Sequence, residues 1–152
     1  MAPNDQKLPA YRQSLAGALL TAREAVMARL RPHLRDAGVT EQQWRVLRVL
    51  DEGDADPTAL AEAALLFAPS VTRILKDLTD RDLILRRADP ADGRRSILSL
   101  TPAGRALIRK TSRQTVRVLE SYREQFGTER LARLQSELHA FTRAIAAAHK
   151  SE

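Results

Sequence analysis

The residues best equipped for chemistry are cations placed beside turn and cap signals. The run DGRRSILSLTPAG at 92–104 sets Arg94 and Arg95 directly after Asp92-Gly93, a pair that supplies hairpin-turn chemistry. SILSL then alternates as a half-buried strand would, with Ile97, Leu98 and Leu100 apolar and Ser96 and Ser99 free to face solvent. Thr101 followed by Pro102 reads as an N-cap and first helical position, so the strand runs straight into a helix. Guanidinium groups on an exposed hairpin tip bind phosphate oxygens, and one that enters a narrow minor groove meets an enhanced negative potential. Arg94 is the candidate for the groove. Arg86, Arg87 and Arg95 line the two strands and fit phosphate contacts, while Asp92 shapes the turn together with Gly93 and pairs with a nearby arginine.

A second constellation lies just upstream. TALAEAALL at 58–66, with Thr58 as its cap, precedes PSVTRILKDL at 69–78 after a tight connection at Phe67-Ala68, a pairing that suits a helix-turn-helix. Val71, Ile74, Leu75 and Leu78 share one face of the second helix and belong to a core. The other face carries Ser70, Thr72, Arg73 and Lys76, hydroxyls and long cations near a helix N-terminus, as a helix reading base edges and phosphates requires. A solvated polar face would look the same in isolation; the basic hairpin beside it favours DNA.

The elements that must position these groups can be read in outline. Apolar residues from Tyr11 to Leu34 recur at helical spacing, Gly38 ends the connection, and Thr40 with Gln43 forms a capping box for TEQQWRVLRVL at 40–50. DEGDADP is a turn-rich break, LILRRA a basic strand, and two helices follow, one to about Tyr122 and one from Gly127-Thr128 to about His149. MAPNDQKLP suits a mobile arm that orders against a partner chain. The fold class is mainly α with a small β-hairpin wing: a winged helix-turn-helix over 37–101, with dimerisation helices from both termini, 1–36 and 102–152, making one intertwined region. Leu131, Leu134, Leu138, Phe141 and Ile145 form a stripe at three- and four-residue steps that packs most simply on helix one of a partner, an intramolecular bundle being the other reading. RALIRKTSRQTVR at 105–117 holds five cations and no acid and reads as a solvated face.

Composition narrows the classes. A net charge of +6 over 152 residues favours a polyanionic partner. The absence of cysteine removes disulfides, thiol redox sensing and thiolate zinc sites. No apolar run approaches the ~18 residues of a membrane span and no signal-peptide core is present, so a cytoplasmic protein without membrane contact is expected. An enzyme is not: there is no GxSxG, no phosphate-cradling glycine loop, and His33, His139 and His149 lack metal spacing. No cofactor is implied.

The pattern Asp-x-Arg-x5-Leu-Thr, here Asp92, Arg94, Leu100 and Thr101, resembles the signature of the MarR family of winged-helix transcription regulators. The resemblance covers nearly the whole chain. It is nearest to members governing hydroxyphenylacetate degradation, through LLTAREAVMARLRP at 19–32, TEQQWRVLRVL at 40–50, and Pro69-Ser70. It implies a homodimeric repressor that binds a palindromic operator in double-stranded DNA and releases it when a phenolic or aromatic acid binds, controlling aromatic catabolism. A constitutive architectural DNA binder, or an activator without an effector, is the alternative. One departure stands out: the family places a glycine, which supplies a left-handed helix end, where this chain has Asp82 in RDLILR; aspartate tolerates that conformation less readily, so a slightly different wing angle is expected.

The effector site is read from Arg23, which falls inside the apolar stripe of Ala16, Leu19, Leu20, Val26, Met27 and Leu30 and so requires an anion. That anion is either a protein carboxylate or an aromatic acid held bidentately. Trp44 and Arg48, four residues apart, share a face and offer an aromatic wall and a second cation, although Trp44 also suits a core. Arg12, Ser14, Arg31 and His33 complete the candidates.

Overall fold

A computed structural model describes residues 8–149. After a 3-10 turn at Tyr11–Gln13, the order is α1 (Leu15–Asp36), α2 (Glu41–Glu52), α3 (Pro57–Ala63), α4 (Ala68–Asp80), β1 (Ile84–Ala88), β2 (Ser96–Leu100), α5 (Pro102–Phe126) and α6 (Thr128–His149). The arm expected over MAPNDQKLP lies largely outside the described residues. Two compact units divide at Ser112/Arg113, within α5.

In the first unit, local chemistry sets most boundaries. Ser14 accepts the Gly17 N–H and caps α1. Gly38, at φ +72°, stops α1: its N–H bonds the Arg35 carbonyl and Val39 N–H bonds the Leu34 carbonyl. The capping box opens α2, with Gln43 N–H to Thr40 Oγ1 at 3.1 Å and Thr40 N–H to Gln43 Oε1 at 3.0 Å. For α3 the cap is Asp56, not Thr58. Its carboxylate accepts the Ala59 N–H at 2.9 Å and Pro57 takes the first helical position, which starts the helix earlier than a threonine cap would.

Leu34, Val46, Leu47, Leu50, Leu60 and Leu78 form the centre of the core, joined by Ile84, Leu98 and Leu100 from the hairpin. β1 and β2 pair antiparallel with Ile84 opposite Leu100 and Ala88 opposite Ser96. Leu98 and Leu100 face inward, while Ser96, Ile97 and Ser99 are half-buried. DEGDADP holds more than a turn. Ala55 bridges Leu98, with both backbone hydrogen bonds made, so the break before α3 is tied to β2. A one-residue bridge has no periodicity to betray it.

The hairpin tip is a loop with Asp92-Gly93 inside it. Residues 89–95 form the loop: Asp89 N–H reaches the Arg95 carbonyl, Arg95 N–H the Asp92 carbonyl, and Asp92 Oδ1 accepts Arg94 N–H at 3.0 Å. Gly93 is not left-handed, so Asp92 shapes the turn through its own carboxylate. Asp82, by contrast, is left-handed at φ 55°, as its position demands.

The second unit comprises the rest of α5 and α6. α5 runs to Phe126, beyond Tyr122, before Gly127 at φ +99° separates the helices. α6 has no buried residue, and Leu134, Leu138, Phe141 and Ile145 are each about two-fifths exposed. None of the described helices is long and apolar enough to cross a membrane.

Candidate nucleic-acid interface and the helix one junction

α4 carries its two faces as its sequence period dictates. Val71, Ile74, Leu75 and Leu78 are buried; Thr72, Arg73 and Lys76 are exposed and Ser70 is half-buried. A short link fixes this helix against α2: Gln43 Nε2 donates to Asp77 Oδ2 at 2.7 Å, using the same side chain that closes the α2 capping box. Thr40, Gln42, Gln43, Ser70, Arg73, Ile74 and Asp77 line an open hollow of about 350 Å³ beside the polar face.

The cations of the interface fall into two groups. Lys76 Nζ pairs with Asp80 at 2.6 Å, which raises the lysine's pKa, chiefly by that hydrogen bond. Arg87 pairs with Asp54 at 2.8 Å. Among the described residues no ion pair holds Arg73, Arg86, Arg94 or Arg95, all exposed. No arginine pairs with the Asp92 side chain; its carboxylate is used by the turn backbone. Asp54 went unread in the sequence, although DEGDADP is acidic and LILRRA basic, because only the Ala55–Leu98 bridge brings the two segments side by side.

The wing is bolted to α5 by Thr101. Its Oγ1 donates to the Asp82 carbonyl at 2.6 Å and accepts Gly104 N–H at 3.0 Å, and its N–H reaches the Leu83 carbonyl at 3.2 Å. Gly104 packs so closely there that a Cβ would lie 2.1 Å from the Leu83 oxygen.

At the α1–α2 junction the reading of Arg23 as buried is corrected. Its side chain is 45% exposed, because its stripe neighbours Leu19, Leu20 and Val26 are themselves exposed in the single chain. Protein carboxylates neutralise it: Arg23 lies 3.2 Å from both Glu24 and Glu41. Arg31 grips Glu24 with two parallel bonds of 2.8 Å and lies 3.6 Å from Glu41. These contacts lower the Glu24 pKa, the Arg31 hydrogen bond first, and raise that of Arg31.

The remaining candidates scatter. Trp44 is half-buried against the core and Arg48 lies 3.5 Å from Asp51. Arg12, Ala18, Thr21, Ala22 and Ala25 line a shallow hollow of about 560 Å³. The Ser14 hydroxyl is committed at both ends, to the Gly17 N–H and the Tyr11 carbonyl. His33 is half-buried in the last turn of α1. At 1.5 Å per residue, Ser14 and His33 stand roughly 28 Å apart, so in one protomer they do not share a small-molecule site.

A helix-turn-helix followed at once by a basic two-stranded wing defines the winged-helix class of DNA-binding proteins. The chain belongs to the MarR family of transcriptional regulators: the family's model matches residues 37–95. It is 37% identical over 129 residues to the homoprotocatechuate degradative operon repressor of Escherichia coli, covering 84% of this chain and 87% of that protein. Among solved structures it is similar to NadR in complex with 4-hydroxyphenylacetate, at 32% identity and a TM-score of 0.79, over 90% of this chain and 97% of the other. It is also similar to the transcriptional repressor CouR bound to a 23-mer DNA duplex, at 26% identity and a TM-score of 0.79, over 90% and 99%.

Proposed function

We propose that this regulator is a homodimeric, sequence-specific repressor that leaves its palindromic operator when a phenolic or aromatic carboxylic acid binds, and that it controls genes of aromatic catabolism. The observation that carries the DNA-binding half is the unpaired set Arg73, Arg86, Arg94 and Arg95, which α4 and the hairpin present without a competing carboxylate among the described residues. Ser70, Thr72, Arg73 and Lys76 read the major groove, Arg94 enters the minor groove, and Arg86, Arg87 and Arg95 hold phosphates. Residues 37–101 form the DNA-binding part. Segments 1–36 and 102–152 dimerise; the exposed stripe of α6 supports this, since a 22-residue helix with no buried side chain needs an apolar partner. The reading implies a cytoplasmic protein.

The effector half rests on the relatives and on the cation cluster. NadR was solved with an aromatic acid, and Arg23 and Arg31 offer guanidinium forks of matching chemistry. Trp44, Arg48, Ser14, Arg12 and His33 are the remaining proposed contacts, Ser14 and His33 meeting at one ligand only if they come from different protomers of the proposed dimer. A ligand carboxylate has to displace Glu24 or Glu41, so only its differential affinity for the DNA-free state drives release. The balanced Arg23–Glu24–Arg31–Glu41 network also favours a second reading, a constitutive DNA binder or an activator with no effector.

An anisotropy titration on the DNA upstream of the chain's own gene, with and without hydroxylated phenylacetates and benzoates, separates the two. Release by one acid, lost in Arg23→Ala while DNA affinity is kept, is expected. Tight binding indifferent to every acid overturns the effector reading.

A further inference from the structure

We propose that Phe67 is a thymine reader, an aromatic side chain set at the start of α4 to lie against the C5-methyl group of a thymine in the major groove; the proposal deepens the DNA-binding reading above and rests on it. Phe67 is 84% exposed, and Leu65, two residues earlier, is 79% exposed, while Leu66 between them packs on the core. The chain achieves this by turning at Leu65 with φ 53°, a left-handed conformation that a leucine rarely adopts.

No structural duty explains a phenylalanine at 67. It occupies the N-cap of α4 without a side-chain hydrogen bond, where serine, threonine, aspartate or asparagine would satisfy a free N–H. Among the described residues, what works for the fold is its backbone carbonyl, accepting the Ser70 N–H at 3.0 Å. Any residue could do that.

Its position supplies the reason. The N-terminal residues of a recognition helix are those that reach base edges, and Phe67 precedes Ser70, Thr72 and Arg73 on the helix whose polar face is uncovered. A phenyl ring has no hydrogen bond to offer a base; its groove partner is the thymine methyl, the one apolar group exposed there. Asp77 and Asp80 on the same helix are engaged by Arg81 and Lys76, whereas Arg73 has no carboxylate partner among the described residues, so the helix that Phe67 opens offers a phosphate one uncompensated cation. An exposed aromatic ring and an unpaired cation on one helix are together complemented by DNA, which offers a thymine methyl and phosphates.

The test begins by selecting an operator for the full chain from a random duplex pool. Each thymine is then replaced in turn by uracil, which removes only the methyl. Affinities are measured for the wild type, Phe67→Ala and Arg73→Ala. Wild type should lose about fourfold at one thymine per half-site, the worth of one methyl group kept from water. Phe67→Ala should bind the thymine operator several-fold more weakly and be indifferent to uracil at that position. With Phe67 exposed, its urea midpoint should match wild type, so lost binding reports contact and not unfolding.

A uracil penalty in Phe67→Ala equal to the wild type's at every thymine overturns the proposal. So does unchanged DNA affinity with weakened self-association in sedimentation, which would assign Phe67 to a protein interface. If Arg73→Ala leaves affinity and salt dependence unchanged, the α4 reading itself fails. If Arg73→Ala weakens binding while Phe67→Ala behaves as wild type, the thymine contact alone falls.

Discussion

Gly104→Ala sets two effects of opposite sign against each other. Alanine inside a helix is favoured over glycine by about 1 kcal/mol, so the exchange should stabilise α5 if nothing else intervened. At this position, however, the new Cβ would stand 2.1 Å from the Leu83 carbonyl oxygen and 3.2 Å from Leu100 Cδ2. Carbon–oxygen contacts close only to ~3.3 Å, so the helix start and the strand entry must part by roughly 1 Å. The Leu83 oxygen also accepts the Thr101 N–H at 3.2 Å, and Thr101 Oγ1 donates to the neighbouring Asp82 carbonyl at 2.6 Å. Both bonds stretch past useful length when the two backbones separate. Each leaves a sheltered polar group short of a partner, at about 1–3 kcal/mol apiece. Set against the propensity gain, Gly104→Ala should destabilise the protein by about 1–5 kcal/mol. Urea unfolding measures this, at fixed protein concentration because self-association of the kind proposed would make the midpoint depend on it. Gly93→Ala is the control: nothing lies within 4 Å of its Cβ position, and the change should stay within about 0.5 kcal/mol. A Gly104→Ala protein as stable as wild type, or more so, would refute the close-packed junction between wing and α5.

Two further outcomes follow from the ion pairs. Asp54→Asn should release Arg87 from its 2.8 Å partner, tighten operator binding, and steepen the dependence of log affinity on log salt by up to about 0.9, one added phosphate contact; an unchanged slope in a salt titration would show that Arg87 stays off the DNA. The Glu24 carboxyl has a folded pKa below its usual value because Arg31, and secondarily Arg23, favours its ionised form. A depressed folded pKa means that its stabilising effect is present above the unfolded value and is lost as pH falls through the lower folded one. Side-chain carboxyl NMR should show Glu24 titrating late on acidification, and Arg31→Gln should return it to the usual carboxylate range.

What the sequence disclosed was governed by range. The Thr40–Gln43 box and the Thr101–Pro102 start each depend on residues a few positions apart, and the structure has both; the left-handed backbone at Asp82 is implied only by the family resemblance, and φ 55° agrees with it. α3 was misjudged even at short range, because Asp56 and Thr58 both cap well and only Pro57 at the first helical position decides between them. Asp92-Gly93 lies in the reversal between the strands, and it is the aspartate carboxylate, accepting the Arg94 N–H, that shapes the turn. The burial inferred for Arg23 is corrected for a different reason. A stripe on one helix tells which residues share a face, not what covers that face; here the face stays open in the single chain, and the charge is met by the adjacent Glu24 together with Glu41, eighteen residues away.

That distinction also decides how the +6 charge should be read. A surplus of cations predicts attraction to a polyanion but not where it acts. The fold resolves it by pairing. Arg23 and Arg31 share Glu24 and Glu41, Arg87 has Asp54, and Lys76 has Asp80. Each of these must surrender a carboxylate before it can hold a phosphate or a ligand anion, so part of any gain is offset by the contact it breaks. Arg73, Arg86, Arg94 and Arg95 surrender only water and counterions, which makes them the groups through which affinity and its salt dependence should chiefly act. With the charges distributed this way, Arg73→Ala should lower the slope of log affinity against log salt in a salt titration, whereas Lys76→Ala, which loses a cation already paired, should lower it less.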